Sequence, residues 1–497
     1  MNTHNSILYK ITYIYIYLPI LIYLFGWTRL PIALITSVIL TVGVFKMVND
    51  ISNDNTISRT SISGPILLFS ILIIVCICIW AGIGGVYPQA GDWYKHNAVL
   101  RDLIEYKWPV YYQNEDKEML TYYLGHYLFP ALLGKMTGSF EVGNIAMFIW
   151  TVLGLYITYV HLVRVVKADK WYKQLLALLF MLFFCGALNS CQNILKEIYA
   201  DEMNSLGSQH WILVNNYMLQ YRSNFVMIRW VAPQIIVPWI TVLLFSEHYS
   251  KVKYYVLLLL PSILYGTFSF GAFVVIGIIS AIWLMLKHDI TIKDVFANLN
   301  ILPLLSFGLV SFFYFLGNMQ VDKPVSSSFR FVRYDGLYIG IYIVFCVCMF
   351  GIYAACVFKE NKKNILWYIN IFVLLFLPWC RMGLCNDIVM SASIPSLFFL
   401  MIWVLQLLFD ERQLNTVGIR KGIVLVIFII GLWYPFLELW GNIRANTQGF
   451  DMGDDYKTMC GFTDRDDPTV AEDLKYNYYT YELDGKIFYE YIARKKI

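Results

Sequence analysis

Gly64-Pro65-Ile66-Leu67-Leu68-Phe69-Ser70-Ile71-Leu72-Ile73-Ile74-Val75-Cys76-Ile77-Cys78-Ile79-Trp80-Ala81-Gly82-Ile83-Gly84 runs without a charged side chain. An apolar run of about 18 residues or more is long enough to cross the hydrocarbon core of a bilayer as a helix. Runs of this kind recur along the 497-residue chain, which is 59% hydrophobic and 14% charged, with a mean hydropathy of +0.58. A soluble domain carries roughly 25% charge. The sequence therefore predicts an all-α polytopic membrane protein. A window of about 20 residues places about thirteen spans, at 11–27, 30–48, 64–84, 141–160, 174–190, 226–246, 254–270, 271–287, 300–317, 336–358, 364–380, 391–409 and 421–440. The first has no small-residue cleavage site behind it and is read as a retained span. Cys76, Cys78, Cys346, Cys348 and Cys356 lie in apolar runs, where cysteine packs as a small hydrophobe.

The loop charges give an orientation. Arg164, Lys167, Lys170 and Lys173, then Lys251 and Lys253, Lys287 and Lys293, Lys359, Lys362 and Lys363, and Arg412, Arg420 and Lys421 occupy alternate short loops. The positive-inside rule makes this set cytoplasmic, with the N-terminus inside and the C-terminus outside. The expected organisation is a membrane domain over 1–440, with outer loops at 85–140, 191–225, 318–335 and 381–390, and an extracytoplasmic tail over 441–497. No cytoplasmic loop has room for a nucleotide-binding domain, and no phosphate-binding glycine pattern occurs. The net charge of +4 comes without a basic tail, so no nucleic-acid partner is expected.

The first outer loop opens with Gly91-Asp92-Trp93-Tyr94-Lys95-His96. From Trp93 to Tyr106 the spacing is helical. Val99, Leu100, Leu103 and Ile104 make an apolar stripe, and Lys95, Asp102 and Glu105 the polar face. That is an amphipathic helix lying along the membrane surface. Asp92 stands at its N-cap, where a carboxylate satisfies free backbone N–H groups, and His96 is one turn on. Leu120 to Pro130, which contains His126, reads as a second short juxtamembrane helix. The plain reading of Asp92 is a helix cap paired with Lys95.

The acidic loop residue and the Tyr-rich segment together resemble the GT-C superfamily of polytopic glycosyltransferases. There the first large outer loop carries an Asp or Glu, followed by a segment of the type P-L-Y-Y-x-L…G. The matching residues are Asp92 and Leu120 to Gly134. The resemblance takes in Arg229-Trp230-Val231-Ala232-Pro233-Gln234 and Asn386-Asp387-Ile388-Val389-Met390. The chain departs from the pattern in having two spans ahead of the one that leads into the acidic loop, and in lacking the leading proline. The resemblance implies a sugar donor on a polyprenyl phosphate and a glycan, lipid or protein acceptor. It also implies a bacterial plasma membrane setting and catalysis by Asp92 as base, with His96 beside it. A flippase or transporter of lipid-linked oligosaccharide, or an O-antigen-type polysaccharide polymerase or ligase, is the alternative.

Arg222, Arg229, Arg330, Arg333 and Arg381 fall on the outer side of this topology, where basic residues are less expected. The planar guanidinium fits phosphate oxygens, so Arg229, Arg330 and Arg333 are candidate ligands for the donor phosphate, with Arg222 and Arg381 behind them. Lys95, His126, His210 in Gln209-His210-Trp211, and Asp387 are further candidates. No cluster has firm metal-ligand spacing, and a need for a divalent ion is left open. In the tail, β-formers on either side of Asp484-Gly485 predict a hairpin over 476–491. A lone hairpin is marginal in water, so it is expected to pack on the membrane domain or the outer loops.

Overall fold

A computed structural model describes residues 3–52, 62–112, 118–187, 211–214, 217–319, 328–334, 336–382, 386–412, 415–445, 459, 477–480 and 483–495. The molecule is a helical, multi-pass membrane protein. Among the described residues, nine helices are long and apolar enough to cross a membrane. They are α1 (Thr3–Trp27), α2 (Leu30–Ser52), α6 (Phe140–Val165), α8 (Asn224–Glu247), α9 (Thr267–Leu286), α10 (Ile292–Met319), α11 (Ile339–Asn361), α13 (Asp387–Phe409) and α14 (Asn415–Ala445). The other four expected spans fall on shorter apolar helices: α3 (Gly64–Trp80), α7 (Trp171–Phe183), a broken segment Val252–Leu264, and α12 (Ile365–Phe376) with its following turn. Between α3 and α6 lie α4 (Trp93–Glu105) and α5 (Gly125–Thr137).

Helices dominate because a backbone in lipid has to satisfy its own hydrogen bonds. The exceptions are sheltered by protein. α7 stops at Phe183, short of the expected 174–190, and Phe184–Ala187 run extended and buried. The Ala187 N–H donates to the Cys348 carbonyl at 3.0 Å, in the middle of α11. A Cβ on Gly186 would lie 2.5 Å from the Met349 Cα and 2.8 Å from the Cys348 oxygen, so only glycine lets these backbones meet. The segment expected as a span over 254–270 ends instead at Tyr265-Gly266, beside the middle of α1, where the Tyr265 hydroxyl donates to the Ile16 carbonyl at 3.0 Å.

Contacts sort the helix ends into two sets. At one end Lys170 and Lys173 pair with Glu411, Arg412 and Arg420 pair with Glu360, and Lys253 pairs with Asp50. The N-terminal part of α1 is there too, with the Tyr9 hydroxyl donating to Glu247 at 2.9 Å. This is the basic end. The opposite end gathers the 85–140 loop, the α1–α2 turn, the start of α13 and the tail.

Three small sheets lie at that opposite end. β1 (Tyr111–Tyr112) pairs with β2 (Glu118–Leu120), and β2 pairs with β7 (Tyr479–Thr480) in the tail. β3 (Trp211–Val214) pairs with β4 (Tyr217–Gln220), and β5 (Arg330–Phe331) with β6 (Cys380–Arg381). This corrects two expectations. Leu120 is in a strand, and the helix after it begins only at Gly125. Among the described residues of 476–491 the tail strand is added to the loop sheet and pairs with no second tail strand, and Phe488–Ile492 form a helical turn after Gly485 in the left-handed region. The edge of β2 gives the tail strand a partner that a two-stranded ribbon in water lacks.

Candidate functional site

α4 is seated by its apolar stripe. Val99, Leu100 and Leu103 are fully buried, and Ile104 presses onto Gly134 of α5 and Gly143 of α6, where an added Cβ would come within 2.6 Å of it. Asp102, expected on the polar face, is fully buried as well. Its Oδ2 accepts from the Tyr112 hydroxyl and from the Met459 N–H at 3.2 Å. Burial pushes its carboxyl up to about 7.

The first turn of α4 is fixed by a defect in α8. Pro233 has no N–H, which leaves the Arg229 carbonyl without its helical donor, and the backbone kinks at Val231 (φ −139°, ψ 35°). α4 supplies the missing donors. The Trp93 indole donates to the Arg229 carbonyl at 2.6 Å, and His96 Nε2 bonds the Trp230 carbonyl at 3.1 Å. A carbonyl only accepts, so Nε2 carries the proton and Nδ1 accepts from the Tyr127 hydroxyl at 2.5 Å. Burial depresses the His96 imidazole to about 4. His96 is thus a neutral, fully engaged group that positions α4.

Asp92 precedes this helix, but its side chain makes no capping hydrogen bond. The carboxylate pairs instead with Lys95 Nζ at 3.1 Å, and the two side chains are 32% and 31% exposed. Burial by itself would raise the Asp92 carboxyl. The Lys95 charge leads the influences that outweigh it and hold it below its ordinary range. A group that is densely surrounded and still reached by solvent sits in a recess.

Arg222 acts on the same Asp92 carboxylate electrostatically. Its Nε donates to Gln220 at 2.9 Å and its guanidinium lies 5.8 Å from the Trp230 ring. Asp387, in the first turn of α13, acts on Lys95. Sequence reasoning did not single out the remaining wall. Tyr123 is half-buried, and its hydroxyl accepts from Tyr122 and from Gln234. Gln234 Oε1 in turn accepts from Ser391 at 3.2 Å. Tyr478 of the tail stacks on Tyr122, with ring centroids 4.3 Å apart. The available signal was Gln234 itself, an amide set between Pro233 and Pro238 in an apolar span.

Other candidates lie elsewhere. Arg229 Nη1 is committed to Glu438 of α14 at 2.6 Å, and the Trp230 indole donates to the same carboxylate oxygen at 3.1 Å. Arg330 stands opposite Arg381 in the β5–β6 register, and Arg333 is exposed beside them. His126 is buried with Nε2 2.9 Å from the Thr151 hydroxyl, and burial depresses it to about 3. His210 lies outside the described residues. Among the described residues no group of three or more His, Cys, Asp or Glu side chains converges as a metal site. No family model, no curated protein and no solved structure matches this chain, so the reading of the recess rests on its own geometry.

Proposed function

We propose that the recess around Asp92 transfers a sugar from a polyprenyl-phosphate donor to a hydroxyl of a glycan, lipid or protein acceptor, as the resemblance to GT-C glycosyltransferases implies. The observation that carries this reading is the Asp92 carboxylate: ionised, reached by solvent and not engaged in capping its helix. In the reaction Asp92 takes the proton of the acceptor hydroxyl while that oxygen bonds the anomeric carbon. The bond from that carbon to the phosphate oxygen breaks, and the electron pair leaves with the polyprenyl phosphate. A positioned carboxylate base contributes about 10²–10⁴-fold. In this reading Lys95 and Arg222 are the cations that stabilise the leaving phosphate. Arg229 is held by Glu438 at 2.6 Å, as Lys95 is by Asp92 at 3.1 Å. The lipid tail lies along the apolar helices.

In this reading the chain crosses the membrane thirteen times. The basic end faces the cytoplasm, since short basic loops are retained there, and the recess opens on the outer face of a bacterial plasma membrane. The test is transfer from a radiolabelled panel of polyprenyl-phosphate sugars by purified wild-type protein and by Asp92→Asn. Transfer by wild type that drops at least 100-fold in Asp92→Asn, with donor binding intact, supports the reading. Equal transfer by both removes Asp92 from catalysis. Donor binding without transfer by either protein points to a flippase.

A further inference from the structure

The tail is fastened across the mouth of the loop at several points. The Thr121 N–H donates to the Tyr478 carbonyl at 2.8 Å, and the Thr121 and Thr480 hydroxyls meet at 2.7 Å. Asn318, near the end of α10, donates to the Tyr479 carbonyl, and Lys486 Nζ donates to the Gly317 carbonyl at 2.9 Å. Farther on, Arg494 N–H donates to the Trp27 carbonyl at 2.8 Å, and Thr28 bridges Ala493. A segment held this closely places Tyr478 in a fixed position.

That position bears on Tyr123. Tyr478 stacks on Tyr122, with centroids 4.3 Å apart, and the Tyr123 ring lies against Tyr122 at a tilt of 34°. Only Tyr123 keeps part of its surface open. Its hydroxyl oxygen receives the Tyr122 hydroxyl hydrogen and the Gln234 amide hydrogen. With both lone pairs engaged, its own hydrogen is left to donate to a further acceptor. Its Gln234 partner stands one turn along α8 from Trp230, whose carbonyl holds His96, which puts Tyr123 beside the first turn of α4. A partly exposed aromatic ring with a hydroxyl donor matches a pyranose, which offers a C–H face and ring or hydroxyl oxygens.

We propose that Tyr123 is the contact that reads the transferred sugar, and that the tail strand, through Tyr478 and Tyr122, holds that ring in its reading position. The inference rests on the sugar-transfer reading above. It makes the tail part of the specificity site, with Tyr478 a positioning residue.

The test uses the full chain in detergent. It compares the affinity for the undecaprenyl-phosphate hexose that is transferred best with the affinity for bare undecaprenyl phosphate, in wild type, Tyr123→Ala, Tyr478→Ala and Tyr478→Phe. The affinity ratio isolates the sugar from the phosphate and lipid. An aromatic contact is worth about 0.5–1.5 kcal/mol, or about two- to tenfold. Tyr123→Ala and Tyr478→Ala are expected to lower the ratio by that factor with little change for bare lipid. Tyr478→Phe keeps the ring and is expected to retain the ratio, which separates positioning from loss of fold. An unchanged ratio in Tyr478→Ala, or equal loss for both lipids, overturns the role of the tail while leaving sugar transfer standing. A wild type that transfers no sugar and binds neither lipid removes the sugar-transfer reading, and this inference with it.

Discussion

Asp102→Asn is expected to stabilise the protein at alkaline pH and to have progressively less effect as the pH falls. The Asp102 side chain is fully buried, and its carboxyl is pushed from an ordinary value of 3.8 up to about 7 by burial. The folded state therefore holds a proton that the unfolded chain has already released. A raised acid of this kind loses stability as the pH climbs from 3.8 towards 7, and the loss is complete above that window. Each tenfold change in proton affinity is worth about 1.4 kcal/mol, so the full cost at pH 8 is about 4 kcal/mol, as an order of magnitude. About 2 kcal/mol of it accrues between pH 5.5 and pH 8. Asparagine keeps an oxygen for the Tyr112 hydroxyl and the Met459 N–H but carries no charge. The assay is thermal unfolding of detergent-solubilised wild type and Asp102→Asn at pH 5.5 and pH 8. The difference between the two proteins should grow with pH in favour of the variant. A variant that is less stable than wild type by the same margin at both pH values would refute the reasoning, since it would mean that the ionised carboxylate is what the fold requires.

His96→Asn should reduce transfer about 10–100-fold by letting α4 shift against the Trp230 carbonyl, without changing the shape of the pH–rate profile between pH 6 and 8. A limb that disappears with His96 would show that it titrates in catalysis. Arg229→Met should cost about 3–5 kcal/mol, because it strands the Glu438 carboxylate, whereas Arg229→Met with Glu438→Leu should recover most of the stability. If the double variant is well folded and yet fails to bind polyprenyl phosphate, Arg229 is a phosphate ligand after all. Gly186→Ala should cost about 1–3 kcal/mol through overpacking against α11 and should lower the yield of monodisperse protein on gel filtration. A normal yield and melting temperature would mean that the extended segment after α7 has slack.

The long apolar runs were legible because one property, length without charge, decides them. Helix boundaries such as Phe140–Val165 and Asp387–Phe409 fall close to where hydropathy puts them. What the pattern could not show were contacts between residues far apart in the chain. Arg229 is expensive in a span, but its relief by Glu438 comes from 209 positions away. Asp102 follows the polar spacing of an amphipathic helix, yet β1 and the tail cover that face. Asp484-Gly485 carries the local chemistry of a hairpin, but β2 offers a better partner than the residues just beyond the turn. Of the residues around the recess, Asp92, Lys95, His96, Arg222 and Asp387 were already candidates by residue type and loop position. Tyr123, Gln234, Ser391 and Tyr478 were not, because tyrosine is common throughout this chain, at 37 residues, and only tertiary structure shows which of its rings line the recess.

The pairing of β2 with β7 joins positions 359 apart at the Thr121–Thr480 contact. A ribosome makes the chain from its N-terminal end, so Asp92 and its helix are in the membrane long before Tyr478 exists. Every intervening span has to be inserted, and the tail has to reach the side where the loop waits, before the third strand can dock. Until then β2 keeps an open edge and Tyr122 an uncovered ring. The order of synthesis therefore acts as a timer: a chain still being made, or one cut short before Tyr478, carries Asp92 without the wall that faces it.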